Sequence, residues 1–254
     1  MTIFDELKIF LRSIRDWIIS FFAASCFFFV FGLKQVAVFG TNLLVPWPAD
    51  RSFSIIVFNK MRENLLPPGV DLITTNPMSA FTSQVLVSVL LGFLLTTPLF
   101  LYKVIAYLHP ALLPQEKKAV LLSLAPLVLL FLAGSAFSYF FLIPATFKLL
   151  YPYAISIGAI PFFAIDEFIY YVCGLMVAAG MMFLLPLFMI LLSFMGIIDN
   201  NFWRKHWQTA CLFFLIVSAI ITPDGTGVTM VMLFLPLLAL YLMGCVAIEK
   251  FNKS

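Results

Sequence analysis

From Phe168 to Ile198 the chain carries no Asp, Glu, Lys or Arg. The run is well beyond the ~18 to 20 apolar residues that cross a hydrocarbon core at about 1.5 Å per residue. Five further apolar segments can be drawn: Trp17 to about Val38, Ser83 to Leu101, Ala119 to Phe141, Trp207 to Ile221 and Val228 to Ile248. A globular chain is roughly half apolar and about a quarter charged. Here the figures are 63% hydrophobic and 11% charged, with a mean hydropathy of +1.08. The expected fold is therefore all-α and polytopic: one domain over residues 1–254 with six transmembrane helices.

An even number of spans leaves both termini on one side. Placing the termini and the second and fourth loops together collects Lys8, Arg12, Arg15, Lys103, Lys117, Lys118, Arg204, Lys205, Lys250 and Lys253. The opposite face keeps Lys34, Arg51, Lys60, Arg62 and Lys148. Positive charge in short loops marks the cytoplasmic side, so the pattern predicts N-in and C-in. The first apolar run is about twice the length of a signal-peptide core and no A-x-A-type site closes it, so it is read as a retained span. Residues 40–81, rich in Pro and Gly, are expected to cap the outer face. The fifth span is short, roughly 22 Å as a helix against a core of about 30 Å. Thr222 to Gly227 reads as a tight turn. Pro98, Pro126, Pro144, Pro186 and Pro236 fall inside spans, where they predict kinked helices around a concave, cup-like face.

Several functions lose support at this stage. Basic residues are scattered among loops rather than gathered on one element, so no nucleic-acid role is read. No HExxH, His cluster or Ser-His pairing suggests an enzyme, a metal site or a bound cofactor. Cys26, Cys173, Cys211 and Cys245 fall within spans without CxxC spacing and read as small packing residues. Spans two, four, five and six hold no ionisable residue at their centres, which disfavours an ion-coupled carrier. A small solute carrier or channel lined by spans two, four and six stays as the alternative function, and a scaffold that gathers other membrane helices is a third.

The loop after the second span reads FLYKVIAYLHPALLPQEKK, Phe100 to Lys118. It resembles the first cytoplasmic loop of the TatC family, the multispanning receptor subunit of the twin-arginine protein translocase. Tyr102, Lys103, Pro110, Ala111, Leu112, Glu116, Lys117 and Lys118 carry the likeness, with Tyr107 where that family usually has Phe. Further along, SAFSYFFLIPATFKLL, GMMFLLPLFMILLSFMGI, WRKHW and ITPDGTGVTMVMLFLPLLALYLMG are similar to later parts of the same family, in the same order. The amino-terminal pattern survives as FDELKIFL: Glu6, Leu7 and Leu11 match, Lys8 replaces an Arg, and the family's His is missing. Leu184 and Leu242 stand where family members often carry intramembrane acids.

The resemblance implies a receptor for signal peptides with paired arginines, in a translocase that exports folded proteins across a prokaryotic cell membrane with the proton-motive force. It implies single-span partners of the TatA and TatB type and self-association. Small positions such as Gly134, Ser135 and Gly180 are expected to admit those partner helices closely. Paired guanidiniums call for carboxylates, because charge-assisted and often bidentate bonds fix both position and orientation. Glu116 and Glu6 are the candidate carboxylates, with Tyr107, Lys8 and Pro110 beside them as signal-peptide-binding residues. Asp224 and Pro223 are candidate turn residues. Each has a plainer reading: Glu116 in the first turn of span three after Pro114, where a carboxylate meets a positive helix end; Glu6 on an amphipathic segment lying in the interface; Tyr107 and His109 as interfacial side chains; Asp224 as turn chemistry.

Overall fold

The computed structural model describes residues 3–38, 41–48, 52–108, 123–156, 158, 162–194, 198, 200–222 and 227–252. In chain order the helices are α1 (Ile3–Val30), α2 (Phe53–Leu65), α3 (Ser79–Leu108), α4 (Leu124–Phe137), α5 (Ile143–Ser156), α6 (Ile165–Phe183), α7 (Leu185–Phe194), α8 (Asn200–Lys205), α9 (Trp207–Ile221) and α10 (Val228–Asn252). One wide turn of π-helix, Ser138–Leu142, joins α4 to α5. Strands β1 (Phe31–Val38) and β2 (Thr41–Pro48) form an antiparallel pair, and β3 (Asp71–Ile73) runs parallel to β4 (Phe162–Ala164).

Among the described residues four helical stretches are long and apolar enough to cross a membrane: Ser79–Ile105, Leu124–Tyr153, Ile165–Ser193 and Val228–Glu249. The helix Trp207–Ile221 is apolar but shorter, with the bounds the sequence predicts. Phe22, Leu95, Leu129, Phe140, Ile220, Met243 and Val246 all point outward. A surface of that kind belongs against lipid rather than water, and the protein is a multi-pass membrane protein.

The expected first span needs correcting at its end. Helix stops at Val30 and residues 31–38 form β1. Gly32 lowers helix propensity just there, and the β-branched Val36 and Val38 suit a strand. The partner strand carries Pro46 and Pro48, tolerable because a two-stranded ribbon has only edges. Span four is also interrupted. Pro186 has no N–H to give the Met182 carbonyl and its ring crowds it, so Leu184 N–H donates three residues back, to Met181 O at 3.1 Å, and α7 starts anew.

The chain divides into two compact units, residues 1–103 with 151–173, and residues 104–150 with 174–254. In the first, α1 crosses α3 where Ser25 meets Gly92. A Cβ on Gly92 would lie 3.0 Å from Ser25 N and 3.1 Å from Ser25 Cα, and would run into Ser25 Oγ. Only a glycine lets the backbones come so near, and close van der Waals packing is what joins helices in lipid. Phe168, Ile169, Val172 and Val87 are buried in this unit. At its other end Ser79 Oγ donates to Asp166 Oδ2 at 3.2 Å, and Gln84 Nε2 donates to Ser52 Oγ at 3.0 Å.

In the second unit α4 and α6 interlock through the small residues singled out above for partner binding. A Cβ on Gly134 would sit 2.7 Å from the Ala179 carbonyl oxygen, and one on Gly180 would sit 2.6 Å from Ser135 Oγ. Ser135 Oγ also donates to Met176 O at 3.1 Å. These positions are thus consumed inside the protein and offer no seat to an outside helix. Phe131, Leu142, Ile143, Leu233 and Tyr241 are the large buried side chains of this unit.

Candidate functional site

The described side chains bring together one charged cluster beside the expected recognition loop, where α1 meets the far end of α3. Lys103 Nζ lies 2.9 Å from Asp16 Oδ2. Arg15 Nη2 lies 3.6 Å from Asp16 Oδ1. The hydrogen bond from Lys103, then its charge, holds the Asp16 carboxyl below the usual carboxylate range. Next along α1, Trp17 packs on Phe100 with ring centroids 4.7 Å apart and meets Phe93 edge-on at 6.4 Å. The aromatic contact and the ion pair fasten the same two helices on successive residues, Asp16 to Lys103 and Trp17 to Phe100.

Each half of the clasp is placed by its own helix. Trp17 opens the apolar run of α1 and Asp16 is the last charged residue before it, so that turn straddles the polar edge of the membrane. Lys103 likewise follows the apolar stretch of α3 and is largely covered, while Tyr102 is exposed. The sequence alone assigns Asp16 no role. Its signal was a lone acid directly ahead of an interfacial Trp, with a lysine leaving the next span.

Among the candidate signal-binding residues, Glu6 and Lys8 lie in the first turns of α1, and Tyr107 lies in the last turn of α3, one turn beyond Lys103. Pro110, Glu116, Pro223 and Asp224 lie outside the described residues, as does His109. The two leucines at positions of family acids differ from one another. Leu184 is buried at the break between α6 and α7, whereas Leu242 is half-exposed on α10.

The second charged loop, WRKHW, is built into its own unit. Tyr241 Oη donates to Trp203 O at 2.6 Å, Trp203 Nε1 donates to Ser193 Oγ at 2.8 Å, and Arg204 Nη1 pairs with Glu249 Oε1 at 2.7 Å. Those three contacts tie α8 to α7 and α10. Among the described residues no group of three or more His, Cys, Asp or Glu converges as metal ligands would.

Residues 9–236 match the model of a family described as Sec-independent protein translocase protein (TatC). The chain belongs to the TatC family. The Sec-independent protein translocase protein TatC of Cenarchaeum symbiosum (strain A) is 35% identical over 98% of this chain and 94% of its own length. The TatC of Aquifex aeolicus (strain VF5) is 31% identical over 74% of this chain and 79% of its own. A chloroplastic TATC from Pisum sativum is 34% identical over 69% of this chain and half of its own. Among solved structures, a crystal structure of the twin arginine translocase receptor TatC superposes with a TM-score of 0.75 at 26% identity, covering 98% of this chain and 100% of that one. A second, of that receptor in DDM, gives 0.73 at 28% identity over 94% and 98%. TatC membership thus rests on nearly the whole length, and the protein is a component of a Sec-independent protein translocase.

Proposed function

We propose that this chain is the receptor for twin-arginine signal peptides and the core subunit of a translocase that exports folded proteins across a prokaryotic cell membrane, driven by the proton-motive force. The observation that carries the reading is the likeness, over 98% of the chain, to a solved twin arginine translocase receptor. Glu116 and Glu6 supply carboxylates to the paired arginines, with Lys8, Tyr107 and Pro110 shaping the surface around them. A planar guanidinium donates two parallel hydrogen bonds to a carboxylate and a lysine ammonium lacks that planar fork, which makes the pair specific. The Asp16–Lys103 clasp supports this assignment, since it fixes the helix that bears Glu6 to the helix that leads into the Glu116 loop.

The remaining parts follow from that role. The protein has six spans with both termini in the cytoplasm, and residues 40–81 cap the outer face. Pro223 and Asp224, which lie outside the described residues, keep the turn role that their residue types suggest. Single-span TatA- and TatB-type proteins and further copies of this chain complete the pore, a reading supported by Leu184 and Leu242 at positions where family members often carry intramembrane acids. The test is photocrosslinking from positions within residues 100–118 to a twin-arginine signal, with a twin-lysine signal as control. Crosslinks that need the arginine pair support the receptor, and equal crosslinks to both signals overturn it.

A further inference from the structure

We propose that Asp16 is a third carboxylate of the signal-binding surface and takes the arginine nearer the signal's apolar segment, an inference that rests on the receptor reading above. Among the described side chains of its unit, Asp16 is the one acid at the Lys103 end of α3. Asp166 and Asp71 lie at the opposite end, Asp166 against Ser79 at the start of α3 and Asp71 in the strand paired with β4.

The two oxygens of Asp16 are unequally used. Oδ2 takes Lys103 Nζ at 2.9 Å, while Oδ1 faces Arg15 Nη2 at 3.6 Å, too far for a hydrogen bond. An ionised carboxylate accepts at about four positions, so Oδ1 can take a further donor while the clasp stays closed. The side chains of Arg15 and Asp16 are 64% and 53% exposed. A pair so open to water holds weakly, and an incoming guanidinium displaces Arg15 at little cost. Lys103, only 21% exposed, is the partner that stays. Its charge competes with any second cation at the acid, so neutralising it should strengthen the site.

Depth selects which arginine arrives there. The positive stretch of a signal peptide directly precedes its apolar run. Helix α1 has the same order, with Asp16 the last charge and Trp17 the opening of the apolar run. Two apolar segments sharing a bilayer align at its polar edge, which brings the second arginine level with Asp16 and leaves the first for Glu6 and Glu116. Position 6 lies ten residues back on α1, about 15 Å along the axis and roughly 80° short of three turns. One side of the helix thus leads outward from Asp16 to position 6. Neighbouring residues of an extended segment point opposite ways, so the two guanidiniums reach different acids.

The test measures signal-peptide affinity per folded protein for the full chain in nanodiscs. Three signals are compared: one with both arginines, one whose second arginine is glutamine, and one with two lysines. Asp16→Asn is expected to weaken the twin-arginine signal about threefold, the scale of one half-exposed ion pair, and to leave the glutamine signal unchanged. Lys103→Gln keeps a hydrogen-bond donor for Oδ2 and removes the competing charge, so it is expected to strengthen the twin-arginine signal about twofold by the same measure. A clasp that only holds α1 to α3 predicts otherwise: Asp16→Asn would weaken both signals alike, and Lys103→Gln would bring no gain. No loss in Asp16→Asn, an equal loss with both signals, or no gain in Lys103→Gln overturns the proposal. Equal binding of the twin-arginine and twin-lysine signals by the parent protein would overturn the receptor reading, and this inference with it. Where the parent discriminates, the variants judge Asp16 alone.

Discussion

Gly92→Ala is the sharpest perturbation of the α1–α3 crossing, the frame under the proposed recognition surface. The added methyl meets Ser25 on three sides: its hydroxyl, its backbone nitrogen at 3.0 Å and its Cα at 3.1 Å. The hydroxyl can be removed, but the backbone of α1 has to move. Overpacking of this kind costs about 1 to 3 kcal/mol. Retreat of α1 by a few tenths of an ångström also loosens the Trp17 contacts with Phe93 and Phe100. Ser25→Ala by itself removes one hydroxyl whose bond is to its own helix, at Phe21 O, and is expected to change stability little. In Gly92→Ala with Ser25→Ala the oxygen clash is gone and both backbone contacts remain, so part of the loss persists. Reversible unfolding in mixed micelles measures all four proteins. No loss in Gly92→Ala, or full recovery in the double variant, would refute the close crossing of α1 and α3.

Asp16→Asn removes the acid of the clasp. Because the folded carboxyl titrates below its ordinary value, its contribution is present above about pH 4 and is lost as pH falls through the lowered folded value; the parent and variant unfolding curves should therefore differ at pH 7 and converge in acid. Tyr241→Phe leaves the Trp203 carbonyl without its 2.6 Å donor and is expected to cost about 0.5 to 1.5 kcal/mol of stability, read in the same unfolding assay. Cysteines introduced near Asp50 and Asp166 should react with an impermeant thiol reagent from outside, and those near Glu116 and Arg204 should not; outside labelling near residue 116 contradicts the N-in arrangement.

Periodicity and length carried the membrane body well because lipid imposes a single rule, that backbone polar groups be satisfied within the segment. The bounds of α9 and the start of α10 at Val228 were legible for that reason. The hairpin of β1 and β2 was not: β1 continues the apolar run of α1 with Phe31, Leu33, Val36 and Val38, and hydropathy cannot tell a ribbon from a helix without weighing Gly32 and the paired prolines. Pro186 did announce the break at Leu184. Gly134 and Gly180 show a different limit, since small residues announce a close approach but not which helix makes it, and here α4 and α6 use them on each other. The clasp needed a pairing distant in sequence, Asp16 with Lys103, that no local pattern contains.

The central claim, that Glu116 receives the arginine pair, is tested most directly by Glu116→Gln, with signal-peptide affinity and thermal stability measured on the same samples. Loss of a charge-assisted hydrogen bond is worth about 1.5 to 3 kcal/mol, so affinity should fall roughly ten- to a hundredfold while stability holds. A carboxylate that only caps the first turn of a helix would instead give a stability loss of about 0.3 to 1 kcal/mol and leave affinity unchanged. Unchanged affinity in a less stable protein contradicts the account.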